Sequence, residues 1–236
     1  NADLSALEEN LLTKFSNSLS EKALRYDLTV PLARYVSQNQ NEIIFPFKRY
    51  QIQPVWRADR PQKGRFQEFY QCDADLIGSD SLWPEIEFIK LFDSVFTDLK
   101  LGAVNLKINN RKILYSISEL ISINDRFSEF TSILDKIDKI GIEEAKKLIL
   151  LAGISNEKFK KIEFLFLKDI SVNDRILNLK SLLSNSKIGT DGVSEIEFIF
   201  NTIDQLNLKT ISLELDLTLA RGLNYYTGTI FEAVSN

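Results

Sequence analysis

The sequence predicts an α+β fold in which antiparallel strands with helices about them are interrupted by an all-helical block. Three observations carry this. Residues 47–57 and the run after residue 65 are rich in aromatic and β-branched side chains and flank a turn marked by Pro61 and Gly64. From about 116 to 187 lysine and glutamate alternate with leucine, isoleucine and phenylalanine at helical spacing, as in DKIDKIGIEEAKKLILLAG at 135–153. Strand-like alternation then returns at 211–217, where Ile211, Leu213, Leu215 and Leu217 alternate with Ser212, Glu214 and Asp216. Strand runs on both sides of a helical block imply one core, residues 1–115 and 191–236, carrying an insertion at 116–190.

The elements follow in order. A short strand-like segment, LRYDLTVP at 24–31, leads into a helix over 31–38 with Pro31 in its first turn. Asp27 and Thr29, two apart, point the same way in an extended chain, and both residue types also suit a helix cap. The long hairpin follows. Ser79–Ser81 then precede a helix whose Pro84 sits early and whose Ile86, Ile89, Phe92, Val95, Phe96 and Leu99 form a core stripe. A strand around 104–108 comes next, then the helical block with turns near Gly141 and Gly153. The last segment reads as a second hairpin, its turn at 222–228 carrying Asn224, Tyr225 and Tyr226 and leading into a strand from Thr229.

Composition narrows the chemistry. The 236 residues include no histidine and one cysteine, Cys72. Zinc and iron–sulfur sites, a histidine base, a cysteine–histidine pair and an internal disulfide are thereby excluded within the chain. Electrostatic catalysis, positioning and carboxylate chemistry remain. No run of about 18 apolar residues suits a membrane span, and no charged-then-apolar segment opens the chain, so a cytoplasmic protein without membrane contact is expected. The chain lacks methionine and starts in mid-pattern at Asn1, as a piece of a longer protein would.

The hairpin concentrates the functional signal. Between 47 and 68 lie Lys48, Arg49, Arg57, Arg60, Lys63 and Arg65 against Asp59 and Glu68, a local excess of +4 in a chain of net charge −4. Guanidinium forks suit phosphate, so a polyphosphate is the expected anion. On the second strand Phe69, Gln71, Asp73 and Asp75 share one side, and Tyr70, Cys72, Ala74 and Leu76 the other, which has packing character. A ring, an amide and two carboxylates in a row suit a base, a hydrogen-bonding ligand and an ammonium or imidazolium group. A hairpin with one solvated face gives the same periodicity, and periodicity does not choose between them. A nucleic-acid-binding module would need basic residues over a wider face than this acidic chain offers.

Three separated segments, LRYDLTVPLARYV, FPFKRYQIQPVWRADRPQKGRFQEF with its QCDAD continuation, and LARGLNYYTGTIFE, resemble the catalytic domain of the histidyl-tRNA synthetases, class II aminoacyl-tRNA synthetases. The likeness runs from about residue 21 to the end and is weakest across the helical block. It implies a class II antiparallel sheet flanked by helices. It also implies that Arg57 grips the ATP α-phosphate, that Arg65 and Asp59 lie near the nucleotide and that Phe69 stacks on adenine. Asp27, Thr29 and Gln71 would hold the α-ammonium of histidine, Asp75 and Tyr226 would read its imidazole, and Tyr225 would line the same pocket. Arg221 would be the second catalytic arginine. The implied reaction activates histidine with ATP to histidyl-adenylate and transfers it to its tRNA, with Mg2+ entering on ATP and no protein metal site. The whole protein is expected to be a homodimer. Motif 1 is not recognisable in 1–20, and motif 3 and the anticodon-binding domain would follow residue 236, so this segment alone is expected to be inactive. The alternative is a regulatory paralogue of the family that does not aminoacylate, which the joint presence of Arg57, Arg221, Gln71, Asp75 and Tyr226 disfavours.

Overall fold

The computed structural model describes residues 5, 11–19, 22–167, 170–220 and 226–235. They fall into two compact units, 1–80 and 81–236. No helix among the described residues is long and apolar enough to cross a membrane.

Among its described residues the first unit holds the helices α1 (Leu12–Ser18) and α2 (Thr29–Asn39) and the hairpin of β1 (Phe47–Trp56) and β2 (Glu68–Ile77). The strands pair antiparallel from Phe47↔Ile77 to Trp56↔Glu68. The chain at 22–28 is not a strand, contrary to the sequence reading, but it lies along the outer edge of β1. Arg25 accepts there from Trp56 N at 3.0 Å and donates from Nε to Pro54 O at 2.9 Å. Because Trp56 points its N–H outward, the nitrogen of Pro54 two residues earlier also faces outward, and proline costs the hairpin no ladder bond.

Burial inverts the expected roles of the two hairpin faces. Phe69, Gln71, Asp73 and Asp75 are half-buried, whereas Tyr50, Ile52 and Tyr70 are 80%, 56% and 69% exposed and Cys72 is also exposed. The polar face is the covered one because the 26–28 segment lies on it: Arg49 reaches Leu28 O at 3.3 Å, Arg57 reaches Tyr26 O at 3.2 Å, and Leu28 is fully buried. Alternation separates two faces but does not say which is covered.

In the second unit β3 (Val104–Asn110) is the centre of a three-stranded sheet, flanked by β4 (Ile211–Leu215) and β5 (Thr229–Ser235). The second hairpin expected from sequence does not form: β4 and β5 both pair with β3, and β4 does so in parallel. The helices between residues 110 and 211 are the crossover that a parallel pair requires. Leu106 and Ile108 turn into a core shared with α3 (Trp83–Asp98), α4 (Arg111–Leu120) and α10 (Lys187–Ile203), through Ile86 and Ile89, Ile113 and Ile117, and Ile196 and Ile199. Of the stripe read on α3, Val95 and Leu99 stay exposed.

Among the described residues of 124–182 lie a 3-10 turn (Asn124–Arg126), α5 (Phe127–Leu134), α6 (Ile137–Ile140), α7 (Ile142–Leu151), α8 (Asn156–Ile162), a second 3-10 turn (Glu163–Phe166) and α9 (Val172–Leu182). Gly141 and Gly153 mark breaks on either side of α7 at φ +80° and +95°, a region that glycine enters without penalty. Serines start the later helices: Ser155, Ser171 and Ser186 each accept from the backbone N–H three residues on. Phe130, Ile149 and Phe159 are fully buried here, with the ring of Phe159 stacked on Phe166 at 5.7 Å.

Candidate active site

The hairpin positions most of the candidate residues, because antiparallel register places side chains of equal parity on one face. Val55, Gln53, Gln51 and Arg49 of β1 lie opposite Phe69, Gln71, Asp73 and Asp75 of β2. The result is a row of three polar pairs and one apolar pair, Val55 and Phe69, with Arg57 at the open end and Arg49 at the other.

Arg57 follows the last residue of β1. Its backbone N–H donates to Gln67 O at 2.9 Å and closes the base of the hairpin loop. Its guanidinium lies 4.5 Å from the ring of Tyr26 and 5.1 Å from that of Phe69, positions that favour a cation over an aromatic face. Nε is held by Tyr26 O, and the two terminal nitrogens make no hydrogen bond among the described residues. A guanidinium fixed by its inner nitrogen presents its outer fork to an anion.

The loop beyond is open. Asp59, Arg60, Lys63 and Arg65 are exposed; the Asp59 carbonyl accepts from Gln67 Nε2 at 3.2 Å, and Arg65 N donates to Gln62 O at 2.8 Å across a small bridge. The basic cluster read from sequence therefore divides. Arg57, Arg60, Lys63 and Arg65 belong to the open end, Lys48 lies on the opposite face, and Arg49 is engaged with Asp75.

Arg49 is the residue that the sequence reading missed. Its Nε lies 2.9 Å from Asp75 Oδ2, an ion pair in which the N–H is not aligned for a hydrogen bond. It also donates to Gln51 Oε1 and to Leu28 O, and Gln51 passes the chain on to Gln53 Oε1 at 2.9 Å. The signal was available in the register, since a hairpin closed between residues 57 and 67 must set position 49 against 75.

Carboxylates crowd the covered end of this face. Burial pushes the Asp73 carboxyl above its ordinary range, and the charges of Asp75 and Asp27 add to this while Arg49 and Arg57 oppose it. Asp75 is likewise pushed up by burial and pulled down by Arg49. Asp27 realises the capping option, one oxygen accepting from Val30 N at 3.1 Å, with exposed Thr29 as the first residue of α2. Two buried acceptors, Gln71 Oε1 and Asp75 Oδ2, have no hydrogen-bond donor among the described residues. Unpaired buried acceptors are costly, and a ligand bearing N–H groups would satisfy them. This face therefore offers carboxylates and acceptors for a cationic, N–H-bearing ligand, with an arginine fork for an anion at its edge.

In the second unit Tyr226 is half-buried, while Arg221 and Tyr225 lie outside the described residues. The chain on both sides of 221–225 is held at the junction of β3 and α4. Fully buried Asn109 donates its side-chain amide to Leu217 O at 3.2 Å and Leu219 O at 2.9 Å, and Arg111 N donates to Gly228 O at 2.9 Å. Among the described residues no cluster of three or more histidine, cysteine or acidic side chains could hold a metal ion.

Residues 5–236 match the family described as Histidyl-tRNA synthetase. The chain is 56% identical over 234 residues to a histidine–tRNA ligase of Christiangramia forsetii, covering 99% of this chain and 51% of that protein. It is 53% identical over 229 residues to one of Bacteroides fragilis, covering 95% and 50%. Among solved structures, the crystal structure of histidyl-tRNA synthetase from Nostoc sp. PCC 7120 is similar at TM-score 0.79 and 34% identity, over 90% of this chain and 49% of that one. An ATP phosphoribosyltransferase regulatory subunit/histidyl-tRNA synthetase from Bacillus halodurans shares the fold at TM-score 0.72 and 18% identity. The chain spans about half the length of the curated relatives it matches.

Proposed function

The chain belongs to the histidyl-tRNA synthetase family, and from that premise we propose that the whole protein is a histidine–tRNA ligase whose histidine pocket lies on the covered face of the hairpin. The observation that carries this is the pair of buried, undonated acceptors, Gln71 Oε1 and Asp75 Oδ2, on the same face as the guanidinium of Arg57. Asp27, Thr29 and Gln71 take the α-ammonium of histidine, and Asp75 accepts a hydrogen bond from an N–H of its imidazole ring. Tyr225, Tyr226 and Arg221 are assigned to histidine, Arg221 also to the reacting carboxylate and α-phosphate, by their places in RGLNYY.

The chemistry needs little from the protein in proton transfer. Histidine's carboxylate is already a nucleophile at neutral pH; it attacks the α-phosphorus of ATP, forming histidyl-adenylate and releasing pyrophosphate. Two anions must meet, so the barrier is largely electrostatic. The outer fork of Arg57 neutralises charge developing on the α-phosphoryl oxygens, and a preorganised donor of this kind is worth about 3 kcal/mol. Mg2+ arrives with ATP and offsets charge on its phosphates. Phe69 supports the adenine ring, with Asp59 and Arg65 on the loop beside the nucleotide. Placement of the two substrates supplies much of the remainder. The histidyl group then passes to its tRNA. We further propose that the protein works as a cytoplasmic homodimer, as the family resemblance implies.

Asp75→Ala in the full-length protein tests the pocket assignment. Loss of a hydrogen bond to a charged group costs about 1.5–3 kcal/mol, so histidine affinity falls roughly 10- to 150-fold while ATP affinity stays within about twofold. Equal losses for the two ligands would remove Asp75 from the histidine pocket.

A further inference from the structure

We propose that Asp73 is a specificity-determining residue of the pocket: its carboxylate is a direct partner of the α-ammonium of histidine and supplies the counter-charge for it. The proposal rests on the reading of this face as the histidine pocket, with Asp75 on the ring.

Register places Asp73 for this role. Gln71, Asp73 and Asp75 are alternate residues of β2 on the covered face, each about 7 Å along the strand from the next. From ammonium to ring, histidine covers about one such step, so with its ring on Asp75 its ammonium comes beside Asp73 before it reaches Gln71. Across the hairpin Asp73 faces Gln51, whose amide is turned along its own strand, accepting from Arg49 and donating to Gln53 Oε1 at 2.9 Å. Asp73 itself is half-buried and makes no hydrogen bond or ion pair among the described residues.

The charges around it leave a cation to be supplied from outside. Those that reach Asp73 are Asp75 beside it, Arg49 on β1, Asp27 ahead of α2 and Arg57 at the open end. Both arginines are engaged elsewhere, Arg49 with Asp75, Gln51 and Leu28 O, and Arg57 with Tyr26 O. A half-buried carboxylate without a partner is costly, and a neighbouring carboxylate adds to the cost. An ammonium group brings one positive charge and three N–H donors. Asp27 has less to offer it, because one of its oxygens already accepts from Val30 N at 3.1 Å. Gln71 Oε1, buried and without a donor among the described residues, adds a neutral acceptor on the same face. Asp73 thus carries the charge that tells an amino acid from a ring-bearing acid without the amino group, while Asp75 reads the ring.

Three ligands separate these roles in the full-length protein: histidine, histamine, which keeps ring and ammonium but no carboxylate, and imidazolepropionate, which keeps ring and carboxylate but no ammonium. Their binding is measured by calorimetry on wild type, Asp73→Asn and Asp75→Ala, with ATP as the control. In Asp73→Asn, histidine and histamine should bind roughly 10-fold or more weakly, as for loss of a hydrogen bond to a charged group, while imidazolepropionate and ATP bind no more weakly than to wild type. The same variant should unfold no sooner than wild type, since it removes a repelling charge and no bond. Equal weakening of histidine and imidazolepropionate in Asp73→Asn would overturn the proposal, as would a clear loss of stability, which would make Asp73 a structural residue. Wild type that binds imidazolepropionate as tightly as histidine would overturn it whether or not the variant folds. Asp75→Ala should weaken all three ring-bearing ligands; if it leaves all three unchanged, or if wild type binds ATP but not histidine, the pocket reading itself fails and this proposal with it.

Discussion

Individual side chains divide sharply into those whose place could be read from sequence and those that could not. Gln71 and Asp75 were legible because a strand alternates strictly, and two residues of equal parity must share a face. Charge along the chain places Arg49 in a phosphate-binding cluster, whereas its partner is set by register across the hairpin. Asn109 gave no sequence signal at all; a lone asparagine at the end of a strand has many uses. Its structure is specific, two donors to the carbonyls of Leu217 and Leu219 and one acceptor for Asn110 N at 2.8 Å. Asn109→Ala leaves buried carbonyls unpaired and should cost about 1–3 kcal/mol by denaturant unfolding. Asn109→Asp should cost more, because it sets a carboxylate against those same carbonyls. An aspartate variant milder than the alanine one would mean that the two donated bonds are not what holds this segment.

At the scale of elements, local pattern was a good guide to what forms and a poor one to what pairs. The first hairpin was legible because Pro61 and Gly64 interrupt two β-rich runs, and the helical block because its apolar spacing is helical. The second hairpin failed because alternation at 211–217 names no partner, and the strand that separates β4 from β5 comes a hundred residues earlier in the chain. The start of β4 is fixed instead by Asp93 of α3, whose carboxylate accepts from the backbone N–H groups of Lys209, Thr210 and Ile211 at 2.8–3.0 Å. Burial acts to raise the Asp93 pKa, but these donors and the Lys209 charge outweigh it and hold the carboxyl below its ordinary value. A depressed folded pKa gives stability that is present above the unfolded value, about 3.9, and lost as pH falls through the folded one. Asp93→Asn should therefore be less stable than wild type by about 1–3 kcal/mol at pH 5–8, with the gap closing below about pH 4. A gap independent of pH down to 3 would show that the charge of Asp93 is not what stabilises this junction.

For the molecule as a whole, the fold agrees with the α+β class read from sequence, and family membership follows from similarity along nearly the whole chain. The class was legible because strand and helix periods occupy separate stretches. The way the hairpin is covered was not, because it depends on the 26–28 segment crossing the polar face. That crossing turns a row of acids and amides from a solvated surface into a half-buried face, where histidine and ATP are proposed to react. Histidine-dependent exchange of pyrophosphate into ATP by the full-length protein tests that reaction most directly, with Arg57→Ala and Arg221→Ala alongside. Exchange by wild type should require histidine and fall roughly 100-fold or more with either substitution, as for removal of a preorganised transition-state donor. Absence of exchange in folded wild type, or exchange undiminished in Arg57→Ala, would contradict it.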